Sequence, residues 1–290
     1  MRLVLTFFML LVSAAGWAVE EQVVTIESQG QKVVGTLVLP DGEPAPVVLL
    51  LHGFTGSRDE LETEHVAEGI FGRTAARLAE KGYSSLRIDF RGSGESIAGI
   101  DFSQTTFEGQ IADGHAAISY LKNQPLVDGD ELHILGWSQG GLVASALAGR
   151  GSAIDAVALW AAVAEPEQTY GHLLGAETMQ LGKAAKPDEA VPIELPWGAK
   201  MTLNGAFFAG VARFDPATEI ASYAGPLFVA QGVEDTIVMP RAAELLIAAH
   251  EGPEEFWMAD MDHVFNSFSS AERLEELIAR TVKFFDHHDD

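Results

Sequence analysis

Three side chains far apart in the chain could together break an acyl bond. Ser138 lies in Gly136-Trp137-Ser138-Gln139-Gly140, a G-x-S-x-G pentapeptide closing the apolar run 131–135. Residues 141–149 follow it, rich in small side chains that suit a helix packed close to a sheet. A serine at such a strand-to-helix turn is pushed out of the sheet. The turn demands awkward backbone angles and close approach, so its flanks need Gly136 and Gly140.

A serine hydroxyl is a weak nucleophile until a base takes its proton, and a third group must orient that base. Of nine histidines, most fall in helices or at strand starts, where packing or solvation accounts for them. His263, in Asp260-Met261-Asp262-His263-Val264-Phe265, follows the last predicted strand. In a parallel sheet that loop opens at the same edge as Ser138. Asp235, in Gly232-Val233-Glu234-Asp235, follows the strand before it and is the expected orienting acid. Glu165 or Glu167, after another strand, could take that role instead. Backbone N–H groups of Gln139 and of Phe54, which follows His52-Gly53, are placed to receive an oxyanion. His52 itself reads as a structural hydrogen-bonder. These groups complete an acyl transfer with no cofactor and no metal.

The elements that must position them alternate. Residues 23–26 and 33–39 flank Ser28-Gln29-Gly30-Gln31 and read as a hairpin. Pro46-Val47-Val48-Leu49-Leu50-Leu51 reads as a strand buried on both faces. A helix over about 64–81 follows, then a strand at 84–90, a helix through Phe107 to Leu121, the Ser138 strand and its helix, and a strand at 156–161. Strands at 226–232 and 255–258 and helices at 240–250 and 274–285 complete an α/β domain with a mostly parallel sheet flanked by helices. The alternation lapses at about 165–214, a loop-like stretch containing four prolines and the aromatics Tyr170, Trp197, Phe207 and Phe208. Such a length of irregular chain is expected to be a lid or substrate-binding insertion. His287-His288 is expected to be a frayed tail.

The totals set boundaries. With 18 basic and 42 acidic residues the formal charge is −24, which argues against nucleic acid or an anionic membrane as partner. No feature of the chain fixes an oligomeric state. Met1-Arg2, the apolar run 3–12 and Ser13-Ala14-Ala15-Gly16-Trp17-Ala18 read as a signal peptide cleaved after Ala18. Export and no stable membrane insertion after cleavage are expected, leaving 19–290 as one domain. With no cysteine there is no disulfide, so an exported fold must rest on its core.

His52-Gly53-Phe54-Thr55-Gly56, Asp89-Phe90-Arg91-Gly92-Ser93-Gly94, Gly136-Trp137-Ser138-Gln139-Gly140-Gly141, Gly232-Val233-Glu234-Asp235 and Asp262-His263-Val264-Phe265 together resemble the α/β-hydrolase superfamily. Within it the chain is most similar to bacterial cinnamoyl (feruloyl) esterases, over about 33–285. The order Ser138, Asp235, His263 is that fold's order. The resemblance implies a serine esterase acting through an acyl-enzyme on a small-molecule ester, either an aryl-acyl or a short-chain one. That family carries an insertion whose early aspartate and late tyrosine bind the phenolic end of the acyl group. Here those regions read Glu165-Pro166-Glu167-Gln168 and Ala206-Phe207-Phe208. The resemblance therefore implies an aromatic substrate wall from Phe207 and Phe208 and leaves the phenol-specific hydrogen bonds open. A peptidase or amidase of the same fold, or a non-catalytic binding protein, are the alternatives.

Overall fold

A computed structural model describes residues 20–288. The expected signal peptide lies outside the described residues. β1 (Glu20–Ser28) and β2 (Gln31–Leu39) form the hairpin, in antiparallel register from Glu20 opposite Leu39 to Ser28 opposite Gln31. Its two-residue turn places both Gln29 (φ 51°) and Gly30 (φ 81°) in the left-handed region, as the twist of a tight hairpin requires.

The remaining strands of the main sheet are β3 (Pro46–Leu51), β4 (Ser84–Ile88), β5 (Asp128–Trp137), β6 (Ala156–Trp160), β9 (Leu227–Gly232) and β10 (Glu254–Ala259). They build an eight-stranded sheet ordered β1-β2-β4-β3-β5-β6-β9-β10, parallel from β4 onward. The apolar run in β3 serves two cores at once. Val47, Leu49 and Leu51 join one cluster, and Val48 and Leu50 join the other, because successive side chains leave opposite faces. On the first face lie α2 (Phe107–Lys122), α3 (Gln139–Gly149) and α8 (Arg241–Ala249). On the second lie α1 (Ile70–Glu80) and α9 (Glu272–Asp286), each burying a single apolar stripe.

α1 is shorter than the periodicity predicts. Gly69 sits at φ 82°, outside helical space, so the helix cannot extend upstream of it. Residues 57–69 instead form turns, pinned by paired backbone hydrogen bonds between Thr63 and Val66 and by Thr63 Oγ1 donating to the Ser267 carbonyl at 2.8 Å.

Residues 165–214 are not loop-like, which corrects the reading from sequence. They hold α4 (Pro166–Leu174), α5 (Ala176–Ala184), a separate hairpin of β7 (Ala190–Glu194) and β8 (Lys200–Asn204), and α6 (Gly205–Val211). The elements were hidden by their shortness. Two nine-residue helices broken by Gly175 at φ 80° give too few turns for a period to show. Pro166 starts the first of them, a position where its missing N–H costs nothing. α7 (Pro216–Ile220), capped by Asp215, leads back to β9.

Candidate active site

Ser138 is the hinge between β5 and α3, with φ 55° and ψ −117°. A residue with a Cβ is strained in this conformation, and the surroundings hold it there. Its N–H donates to the Trp160 carbonyl of the neighbouring strand at 2.9 Å, and its own carbonyl accepts from Val163 N–H at 3.1 Å. The glycines either side are required by space. A Cβ on Gly140 would lie 1.9 Å from the Leu51 carbonyl oxygen, and one on Gly136 would lie 2.4 Å from the Gly140 oxygen.

The structure brings the three chemical side chains together. Ser138 Oγ lies 3.1 Å from His263 Nε2, and His263 Nδ1 lies 2.8 Å from Asp235 Oδ2. The buried carboxylate therefore accepts a hydrogen bond from Nδ1–H, which keeps the proton on Nδ1 and leaves Nε2 free to accept from the serine hydroxyl. Asp235 is held from both sides. Its Oδ1 accepts from Ile237 and Val238 N–H, each at 2.9 Å, and its Oδ2 accepts from Gln231 Nε2 at 3.0 Å.

His263 rides on a short loop that closes on itself. Asp262 Oδ1 accepts from Val264 and Asn266 N–H, and Asn266 Oδ1 accepts from Asp262 N–H. Phe265 and Asn266 both take positive φ, and the buried Phe265 ring packs on Trp137 and Trp160. Trp137 Nε1 then donates to the His263 carbonyl at 3.2 Å. Trp137, the residue before Ser138, thus fixes the backbone of His263.

Glu165 and Glu167 are not brought to His263. Glu165 lies 3.7 Å from Arg241 and Glu167 pairs with Lys183. His52 is neutral and structural, as its tautomer shows. Nδ1–H donates to the Gly53 carbonyl at 2.8 Å and Nε2 accepts from Phe90 N–H at 3.1 Å, while burial holds its pKa below the ordinary histidine value.

Phe54 follows Gly53 beside Ser138, where a Cβ on Gly53 would lie 3.3 Å from Ser138 Cβ. Gln139 is the first residue of α3. Among the described residues neither backbone N–H has an acceptor, so both are free for an incoming oxygen.

The aromatic wall is a correction. Phe207 and Phe208 are 1% and 0% exposed and offer no surface to a substrate. Phe208 fills the core of the insertion, where a Cβ on Gly182 would fall 2.2 Å from its ring. Phe207 stacks on Phe54 at 5.6 Å and supports it from behind. A cavity of about 100 Å³ lies between α4 and the loop after Asp235, lined by Glu165, Gln168, His172, Ile237 and Met239 among others, and none of Ser138, His263, Phe54 and Gln139 lines it.

Two supporting residues escaped sequence reasoning. Gln231 could have been noticed, as the one polar side chain in the otherwise apolar, buried β9. Glu60 carried no signal. It reaches back across its loop so that its carboxyl accepts from Gly53 N–H, directly before Phe54.

Burial pushes the half-buried Glu60 up to about 8, with the Gly53 N–H pulling the other way and the Asp89 charge adding to the rise. The sign follows from proton counting. An unfolded glutamate ionises near 4.5, so between about 5 and 8 the folded chain keeps a proton that the unfolded chain has lost. Glu60 therefore makes stability fall as pH rises through that window. Glu60→Gln is expected to flatten this part of the stability profile, read from urea unfolding at several pH values. An unchanged slope would show that Glu60 is ordinary in the fold.

Comparison with known proteins follows the same lines. Residues 46–183 match the family model described as alpha/beta hydrolase fold. A polyketide transferase, ATR5, from Stachybotrys chlorohalonatus is 29% identical over 122 residues, which are 41% of this chain and only 38% of that protein. Among solved structures, Est1E from Butyrivibrio proteoclasticus with ferulic acid bound superposes with a TM-score of 0.70 at 19% identity, covering 91% of this chain and 98% of that one. The esterase domain of a Rhodothermus marinus protein gives a TM-score of 0.68 at 23% identity, covering 93% and 99%. The sheet order, the strained elbow at the end of β5 and the matched segment agree, and the chain has the α/β-hydrolase fold.

Proposed function

We propose that the chain is a serine carboxylic-ester hydrolase that works through an acyl-enzyme. The observation that carries this reading is the unbroken hydrogen-bonded line Ser138–His263–Asp235 at a strained elbow, beside two N–H groups without acceptors.

His263 Nε2 takes the hydroxyl proton as Ser138 Oγ attacks the ester carbonyl carbon. The carbonyl oxygen becomes negative and receives the Phe54 and Gln139 N–H groups. The imidazolium, steadied by Asp235, returns its proton to the leaving alcohol as the tetrahedral species collapses. Water then repeats the sequence on the acyl-enzyme and frees Ser138. A binding protein has no use for a completed triad.

The likeness to esterase structures supports ester over amide substrates. With Phe207 and Phe208 buried, nothing aromatic in the insertion faces a feruloyl ring from those positions. Rates on nitrophenyl esters of rising chain length, beside methyl ferulate and an anilide, test the reading. It expects kcat/KM to peak at short chains and the anilide to lag far behind. A ferulate preference would restore the aryl-acyl reading, and efficient anilide cleavage would make the protein an amidase.

The N-terminal run is read as a signal for export, so protein recovered outside the cytoplasm is expected to begin near Val19. An intact Met1 on a cytoplasmic product would refute this.

A further inference from the structure

One side chain of the insertion touches both residues that supply the oxyanion donors. Tyr170, on α4, is 1% exposed. Its hydroxyl donates to Oε1 of Gln139, which is buried as well. Gln139 Nε2 donates in turn to Gln110 Oε1 at 2.7 Å, and Gln110 Nε2 donates to Thr105 Oγ1 at 3.3 Å. In this arrangement the amide oxygen facing Tyr170 accepts and the phenol donates, so the phenol keeps its proton. Burial supports that state, raising the Tyr170 pKa well above the ordinary tyrosine value.

The same ring meets Phe54 edge-on at 5.3 Å and Phe207 at 5.1 Å, and Phe207 stacks on Phe54 at 5.6 Å, so the three rings form one triangle. Phe54 is thus gripped by two aromatics from the insertion, and Gln139 by one hydrogen bond from it. Both oxyanion N–H groups belong to residues whose side chains end on Tyr170.

We propose that Tyr170 is a positioning residue that sets the oxyanion hole, so that the insertion governs turnover as well as substrate fit. The proposal rests on the serine-hydrolase reading and adds a role for a residue that never touches substrate. A donor tilted away from the developing oxyanion loses its hold on the transition state but hardly changes ground-state binding.

Tyr170→Phe separates this from simple packing, because it keeps the ring and removes only the hydroxyl. Gln139 Oε1 is then buried without a donor, and the residue bearing it must shift. On a short nitrophenyl ester, kcat is expected to fall about ten- to a hundredfold with KM nearly unchanged. Affinity for an alkyl boronic acid, a tetrahedral analogue of the transition state, is expected to weaken by a similar factor. Tyr170→Ala also frees Phe54 and is expected to fall further. Should Tyr170→Phe not fold, Gln110→Met breaks the same line one hydrogen bond away, and the same split between kcat and KM is expected.

Wild-type kcat and boronate affinity in Tyr170→Phe would overturn the proposal, as would a rise in KM alone. A wild-type protein that neither turns over esters nor binds the boronate would instead refute the serine-hydrolase reading beneath it.

Discussion

Ser138→Ala is expected to remove ester turnover, with kcat falling on the order of a millionfold while the fold persists. The size of the effect follows from the geometry. His263 Nε2 has Ser138 Oγ as its partner at 3.1 Å, and an alanine there leaves a base with nothing to activate. The free N–H groups of Phe54 and Gln139 remain and can assist only the slow attack of water. Stability is expected to change little, since the hydroxyl makes no other hydrogen bond among the described residues and the strained backbone is held by Trp160 and Val163. Steady-state rates and a thermal melt on the same preparation check both parts. Activity above a few per cent of wild type in clean protein would remove Ser138 as the nucleophile.

Asp235→Asn is expected to lower kcat by about ten-thousandfold. The carboxylate accepts at both oxygens, from Ile237, Val238, Gln231 and His263. An amide has one oxygen, and the two backbone donors at the Oδ1 position claim it. The NH₂ then faces Gln231 and His263, where acceptors are needed, so His263 turns its proton toward Ser138 and can no longer act as base. Glu165→Gln and Glu167→Gln are expected to be mild, because those carboxylates face Arg241 and Lys183 at the surface of the insertion. Loss of activity in either, with Asp235→Asn active, would place the acid after β6.

The convergence of Ser138, Asp235 and His263 was more legible in the sequence than the surfaces around it. Ser138 announces itself because a strained turn needs glycine at fixed offsets, and Gly136 and Gly140 have no room for a Cβ. Asp235 and His263 could be chosen from position alone, since both loops leave the same edge of a parallel sheet whose strands read as apolar runs. The insertion was misread for a different reason. Its helices are nine residues long and its hairpin five residues a side, so each element is fixed by what it packs against rather than by its own period. Phe207 and Phe208 looked like a substrate wall because aromatics in a polar, proline-rich stretch suggest a lid. In the fold they are what that stretch uses as a core. Glu60 and Gln110 act through contacts between segments distant in sequence or folded back on themselves, and no local pattern encodes those.

The claim at the centre is a covalent one: Ser138 carries the acyl group between the two half-reactions. Rapid mixing with p-nitrophenyl acetate, acid quenching within the first turnover and peptide mapping by mass spectrometry read it directly. An acetyl group on the peptide holding Ser138, formed with a burst of nitrophenol near one per active site and lost in Ser138→Ala, is the predicted result. Acetyl on another residue, or a clear burst in Ser138→Ala, would contradict it.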